Sequence, residues 1–446
     1  MERDMTVGKP GKIIMQFTIP VLLGNVFQQL YAMADTVIVG QFVGVEALAA
    51  VGSVGTIMFL IGGFVIGMTT GFTVLTAQRY GAKDMKGMRD TVGSAYLLSI
   101  IVTIILTAIS MLGMKPLLHL MNTPADIFDD AYIYIMIICA GIAAQVMYNL
   151  FASVLRAIGN SKTPLYFLIL SAVLNVVLDL LFIIEFHMGT AGAAYATIIS
   201  QGVSGVLCLV YIIMKVPVLK LGRENWKLNG HLARIQMGLG FPMALQFSIT
   251  AIGTMMVQAS LNILGSVAVA AFTAASKIEN LVGQTYWALG TTIMNFSAQN
   301  RGAGKIDRIR QGFRSATIIG IIYSVVMGVF LATGGKYLAY MFVSDHVTEL
   351  IDYVGIYLTC VGVFLIPLSI VNIYRNGIQG LGYGFLPMMS GVAELIGRAI
   401  VAMIAAHYMS YLGVCMASPA AWVLAGGLLI VMYYWIMNHH LDKKKI

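Results

Sequence analysis

Charge is scarce in this chain: of 446 residues only 10% are Asp, Glu, Lys or Arg, against 59% hydrophobic, and the mean hydropathy is +0.86. Soluble domains carry roughly 25% charged residues, so a fully water-solvated surface is excluded and a polytopic membrane protein is implied. Cysteine is scarcer still. The four present, Cys139, Cys208, Cys360 and Cys415, fall inside apolar runs at unrelated spacings, which speaks against a disulfide framework or a CxxC metal site. No HExxH, GxSxG or GxxxxGK[ST] pattern occurs, and no metal-spaced His or Cys cluster, so neither an enzyme nor a nucleotide-driven pump is indicated. Transport without a nucleotide site has to draw on an ion gradient. The first apolar run is too long for a signal-peptide core and lacks a small-residue cleavage site, so it is read as a permanent helix.

Apolar runs of bilayer length, about 20 residues each, lie near 13–39, 48–77, 91–113, 131–154, 164–185 and 191–214, then 236–262, 268–298, 315–333, 351–373, 387–408 and 412–438. Twelve spans put both termini on one side. Of the 27 Lys and Arg, 23 fall in segments on the amino-terminal side, including Arg79 to Arg89, Lys215 to Arg234, Arg301 to Arg314, Arg375, and Lys443, Lys444 and Lys445; only Lys115 and Lys336 fall in opposite-side loops. The positive-inside rule then makes both termini cytoplasmic in a cell (inner) membrane protein. The formal charge of +8 is thus topological, and loops such as RYGAKDMKGMRD lack the aromatic interleaving of a nucleic-acid binder.

The chain also repeats itself. FTIP at Pro20 answers LGFP at Pro242, FVGVEALAA at Gly44 answers ILGSVAVAA at Gly265, and AQRYGAKDM at Ala77 answers AQNRGAGKI at Ala298, offsets of 222, 221 and 221; GNSKTP and GYGFLP echo at 223. An even number of spans per repeat gives two lobes of the same orientation, related by a pseudo-two-fold axis along the membrane normal. The expected fold is an all-α membrane protein of twelve transmembrane helices in two six-helix lobes, 1–214 and 236–446, joined by a cytoplasmic linker at 215–235. The substrate path is expected between the lobes.

The order IPVLLGNVFQQLYAMADTVIVGQFVG, AQRYGAKD, RAIGNSKTP, NVVLD and GTAGAAYATIISQ resembles the multidrug and toxic compound extrusion (MATE) family, over most of the chain. The resemblance implies a V-shaped antiporter that exports amphipathic, often cationic, small molecules in exchange for Na⁺ or H⁺, with no other cofactor. A monomer among membrane lipid, with no nucleic-acid partner, is expected. A lipid-precursor flippase of the same superfamily is the alternative; such flippases tend to have extra helices and a basic cavity, whereas the polar residues here are acidic.

Two aspartates sit at bilayer depth, where a carboxylate costs about 2.5–3.5 kcal/mol on insertion scales and is retained mostly for ion or proton pathways. Asp35 in the first span, Asp179 in the fifth and Thr197 in the sixth each lie about five to seven residues from the outer end, roughly 8–11 Å deep. Asn175 and Asp179 share one helix face, as do Gln28, Tyr31 and Asp35. Carboxylate, amide and hydroxyl oxygens suit Na⁺, and a pair of close acids equally suits a proton. By resemblance, Asp35, Asn175, Asp179 and Thr197 match the family's amino-lobe cation and proton site. The alternative account makes each aspartate a local hydrogen-bond cap between helices.

The repeat places Met256 opposite Asp35 and Ala402 opposite Asp179, so the second lobe is expected to have lost the acids. Some members of the family carry a carboxylate on helix 7, but nothing acidic occurs here between Arg234 and Glu279; this departure from the family pattern puts a carboxy-lobe ion site in doubt and, by resemblance, points to the DinF-like branch. Glu394 and Arg398, spaced i, i+4, are read as neutralising each other, while Lys277 and Glu279, two apart, each need a partner elsewhere. Gln28, Tyr31, Tyr148, Asn149 and Glu279 are the candidate substrate-pocket residues. His407 is read as a core histidine. Pro20 and Pro242 interrupt the hydrogen-bond ladder of each lobe's first helix, as static kinks or, by resemblance for Pro20, as a hinge that bends when Asp35 changes its proton or ion.

Overall fold

Backbone polar groups in hydrocarbon have to be satisfied within the protein, and a helix does so within one segment. In the computed structural model, which describes residues 4–338 and 348–441, fifteen α-helices and no strand occur among the described residues. In chain order the first eight are α1 (Pro10–Phe42), α2 (Val45–Ser53), α3 (Gly55–Gly81), α4 (Met85–Leu120), α5 (Phe128–Ala140), α6 (Ile142–Ala157), α7 (Lys162–Leu180) and α8 (Gly189–Lys215). The other seven are α9 (Gly230–Asn262), α10 (Ser266–Gly302), α11 (Ile306–Leu338), α12 (Thr348–Val363), α13 (Leu365–Gly380), α14 (Phe385–His407) and α15 (Tyr411–Ile436). Lys443, Lys444 and Lys445 lie outside the described residues.

Among the described residues nine helical segments are long and apolar enough to cross a membrane, and two bent pairs pass the same test together, α5 with α6 at 46° and α12 with α13 at 51°, which gives up to eleven. The bends fall at Gly141 and Phe364, inside runs that read as continuous. An added Cβ at Gly141 would collide with Ile198 of α8, so that approach requires glycine. The expected span 48–77 is also divided, at Val54 between Gly52 and Gly55, residues that weaken a helix. Its repeat counterpart α10 runs unbroken for 37 residues, but it is the one expected span that does not pass as apolar, because Lys277, Glu279, Asn280 and Gln284 interrupt it.

The chain divides into two compact units: unit 1 is Met1–Asp4 with Leu23–Ala244, and unit 2 is Met5–Leu22 with Leu245–Ile446. The divisions cut α1 and α9 just after Pro20 and Pro242, although both helices continue through their prolines. Within unit 1 the inner part of α9 lies flush on α3, where a Cβ on Gly67 would come within 2.5 Å of Ala244 Cα. Buried Gln236 locks this contact, accepting from Ser94 Oγ at 2.7 Å and donating to the Thr91 and Phe72 carbonyls at 2.8 and 3.1 Å. Within unit 2 the peptide from Met5 to Gly8 is tied to the start of α11 and its approach: Lys305 donates to Thr6 O at 2.8 Å and Arg308 to Gly8 O at 2.7 Å.

The repeat is visible in backbone geometry. Gly44 and Gly265 precede α2 and α10 with φ of +128° and +99°, a conformation that disfavours any side chain. Gly159 has φ +85°, and the next residue, Asn160, accepts from Thr163 N at 3.1 Å to satisfy the first turn of α7. This accounts for the RAIGNSKTP segment in local terms.

Candidate functional site

Unit 1 brings Asp35 and Asp179 together. Asp35 is carried by α1 and Asp179 by the last turn of α7, and their carboxyls lie within hydrogen-bonding reach of each other. They are 9% and 0% exposed, and Asn175, one turn before Asp179, is 1% exposed. Two carboxylates are acceptors only, so neither bonds the other unless a proton lies between them. Asp35 Oδ1, both Asp179 oxygens and both amide atoms of Asn175 have no protein hydrogen-bond partner. A buried polar atom left without any partner costs about 1–3 kcal/mol. Directly after it, α7 passes into a π turn, Leu181–Glu185; such turns occur frequently at functional sites.

Around the pair are residues that the sequence pattern did and did not single out. The Tyr31 hydroxyl is in hydrogen-bonding reach of Gln28 and Gln201 and electrostatic reach of Asp35. Tyr134 of α5, 1% exposed, lies in electrostatic reach of both acids and of Tyr31. Thr197 Oγ1 donates to Ala193 O at 3.0 Å, so its proton is engaged by its own helix while its oxygen can still accept. With Gln145 and Gln201 it lines a cavity of about 40 Å³ in unit 1, ample for water, which needs roughly 10–15 Å³. Asn149 Nδ2 donates to Gln145 O at 2.8 Å, and Tyr148 lies near Arg156, Cys208 and Tyr31. Tyr134, Gln145 and Gln201 were missed from sequence; Gln145 with Asn149, and Thr197 with Gln201, are i, i+4 polar pairs that carried the signal.

In unit 2 the buried charges are arranged differently from the expectation. Glu394 does meet Arg398, at 2.5 Å, but it also takes Arg375 of α13 at 2.7 Å. Arg375, counted with the inner loops, is instead 8% exposed; an arginine reads as a loop residue until its acid, 19 residues later, is known. Arg398 Nε has no hydrogen-bond partner. Glu279 belongs to unit 2, accepts a short hydrogen bond from Tyr357 Oη of α12, and lies in electrostatic reach of Arg398. Lys277 is exposed, and so is His407, which ends α14 beside Tyr408 and is not a core histidine. Pro20 is buried in unit 2's part of α1.

Outside the spans, Asp84 caps α4. Its Oδ1 accepts from Gly87 N at 2.9 Å and its Oδ2 from Arg79 Nη1 at 2.7 Å. The Gly87 N–H first, and then Arg79, hold its carboxyl below the ordinary carboxylate range.

With this geometry in place, the comparison with known proteins is decisive at the level of the family: the MatE family profile matches residues 20–181 and 241–404, one match for each repeat. The chain belongs to the MatE family. It is 32% identical over 377 residues to probable multidrug resistance protein YpnP of Bacillus subtilis (strain 168), covering 84% of this chain and 83% of that one. It is 28% identical over 428 residues to probable multidrug resistance protein YoeA of the same strain, covering 94% and 92%. Among solved structures, a MOP superfamily transporter from Pyrococcus furiosus superposes with a TM-score of 0.92 at 22% identity, over 99% of this chain and 98% of that one, a likeness of fold. In MatE terms the first matched segment carries Asp35, Asn175 and Asp179, and the second carries Glu279, Arg375, Glu394 and Arg398. The chain is therefore a multi-pass membrane protein of a transporter family.

Proposed function

We propose that this MatE protein is a multidrug efflux antiporter that exports amphipathic, often cationic, small molecules by alternating access in exchange for H⁺ or Na⁺. The observation that carries the reading is the cluster of unpartnered buried oxygens on Asp35, Asp179 and Asn175. A proton between the acids, or a small monovalent cation among the oxygens, supplies the missing partner. Loading and unloading that partner changes the charge of the cluster by one, which gives an ion gradient a means to bias helix packing. Asp35, Asn175, Asp179 and Thr197 are assigned to the ion, with Na⁺ as the metal if a metal is used. Gln28, Tyr31, Tyr148 and Asn149 are assigned to substrate contact, and Pro20 to a hinge in α1.

Two six-helix repeats, both termini cytoplasmic, in a monomer of the cell membrane, complete the proposal. The names of the YpnP and YoeA relatives, multidrug resistance proteins, support the substrate class. A flippase for lipid precursors is disfavoured because the cluster is acidic, the wrong sign for a phosphate head group. The test is dye efflux from everted membrane vesicles, driven in turn by a H⁺ gradient and a Na⁺ gradient. Efflux driven by one of them is expected; efflux driven by neither contradicts the antiporter.

A further inference from the structure

The repeat register gives Glu279 of unit 2 a counterpart that lines the unit 1 cavity. At the offset of 223 set by the paired helix breaks, Gly141 and Phe364, Tyr357 of unit 2 is the counterpart of Tyr134 and Arg398 that of Asn175. At the offset of 221 set by the Gly44 and Gly265 corners, Glu279 is the counterpart of Met58. Met58 lines the unit 1 cavity together with Thr197 and Gln201, and Tyr134 lies in electrostatic reach of Asp35 and Asp179. Unit 2 has thus not simply lost its acids. It has moved the carboxyl from the repeat's first helix to α10, kept the tyrosine, and set a guanidinium where unit 1 has an amide.

We propose that Glu279 is a second proton-exchanging carboxyl of this protein, held in unit 2 between the Tyr357 hydroxyl and the Arg398 guanidinium. The proposal extends the ion-driven reading above to unit 2, but it concerns proton binding alone and is testable without transport.

The local charge count makes the site responsive. Arg375 and Arg398 share Glu394, an assembly with one excess positive charge, and ionised Glu279 brings the set to zero. A proton taken from water onto the Glu279 carboxylate leaves one excess positive charge on the two arginines that contact Glu394. Loss of that proton restores a second negative charge within electrostatic reach of Arg398. The guanidinium has room on α9, because position 253 is glycine: a Cβ there would come within 2.9 Å of Arg398 Nη1. Its Nε, buried and unpartnered, is the donor left over for a change of partner.

Among the described residues, the groups facing Glu279 are few. On α12 it meets Tyr357, on α14 Arg398 with Glu394 behind it, on α15 Tyr411 and Cys415 next to Tyr357, and on α13 Arg375 through Glu394. The α9 segment brings no charge, since none occurs between Arg234 and Lys277, and α11 carries none between Arg314 and Lys336. Lys277, the nearest charge on α10 itself, is exposed.

Infrared difference spectroscopy of the full chain in lipid nanodiscs, titrated from about pH 5 to about pH 9, above the range of ordinary surface carboxyls, reads protonated buried carboxyls directly. In an Asp35→Asn/Asp179→Asn background one titrating carboxyl band is expected to remain, to vanish on adding Glu279→Gln, and to change frequency on adding Tyr357→Phe. Should the double variant fail to fold, Glu279→Gln alone is expected to remove one band from the wild-type titration while leaving the aspartate signal. A titration with no band sensitive to Glu279→Gln, or a band unmoved by Tyr357→Phe, overturns the proposal. Because the aspartate signal is read separately, its absence would count against the unit 1 site and not against Glu279.

Discussion

Replacing Glu394 by Gln offers a sharp energetic test of the unit 2 interior. The carboxylate holds Arg375 at 2.7 Å and Arg398 at 2.5 Å, and the three side chains are only 9%, 6% and 7% exposed for Arg375, Arg398 and Glu394. Hydrogen bonds to charged groups are each worth about 1.5–3 kcal/mol, and removing one partner from a buried ion pair costs about 3–5 kcal/mol because the other charge stays buried. Gln keeps one acceptor oxygen but no charge, and it leaves two guanidiniums to repel each other. The expected loss is about 3–5 kcal/mol, or roughly 100-fold or more in the folded ratio at about 1.4 kcal/mol per tenfold. The control is Asp307→Asn, which breaks the Arg310–Asp307 pair at 42% and 80% exposure and is expected to cost about 0–1 kcal/mol. Thermal unfolding in detergent, followed by loss of the monodisperse chromatographic peak, compares the two. A Glu394→Gln protein that melts with the wild type, or no lower than Asp307→Asn, would refute the reasoning.

Other outcomes are expected from the same packing. Gly67→Ala forces a Cβ against Ala244 backbone and should cost about 1–3 kcal/mol by overpacking, whereas Gly427→Ala, which meets nothing within 4 Å, should express and melt normally. Gln236→Leu removes three buried hydrogen bonds and should cost about 2–4 kcal/mol, measured by the same melt. Asp84→Ala should cost about 1 kcal/mol near neutral pH through the lost cap. Since folding lowers the Asp84 carboxyl from its ordinary range, that contribution is present above the range and fades as pH falls through the folded value, so wild type and variant should converge in acid. Pro20→Ala should slow dye efflux at unchanged membrane abundance; wild-type efflux would argue for a static kink.

Several features were legible because each rests on one local signal. Asp35 and Asp179 stand out as charges in apolar runs, and shared depth, the 3.6-residue period and family resemblance together placed them in one site. The Gly44 and Gly265 corners and the paired prolines announced the repeat. What escaped depends on partners distant in sequence. Arg375 reads as a loop residue until Glu394 is seen beside it. The bends at Gly141 and Phe364 are hidden because hydropathy does not respond to a change of helix direction. Glu279 on α10 stands out in the sequence as a buried-span charge that needs a partner, but Tyr357 and Arg398 lie too far along the chain to be named as its neighbours. Gln145 and Gln201 were overlooked although their spacing from Asn149 and Thr197 was readable.

The most direct test of the central claim, that Asp35 and Asp179 couple export to an ion, is to compare two assays on the same vesicles. Gradient-driven dye accumulation needs the coupling ion, whereas exchange of labelled for unlabelled dye at equal concentrations needs only a working substrate path. Asp35→Asn and Asp179→Asn are each predicted to abolish accumulation while exchange persists and the protein remains folded in the membrane. Accumulation at the wild-type rate in either variant would contradict the account.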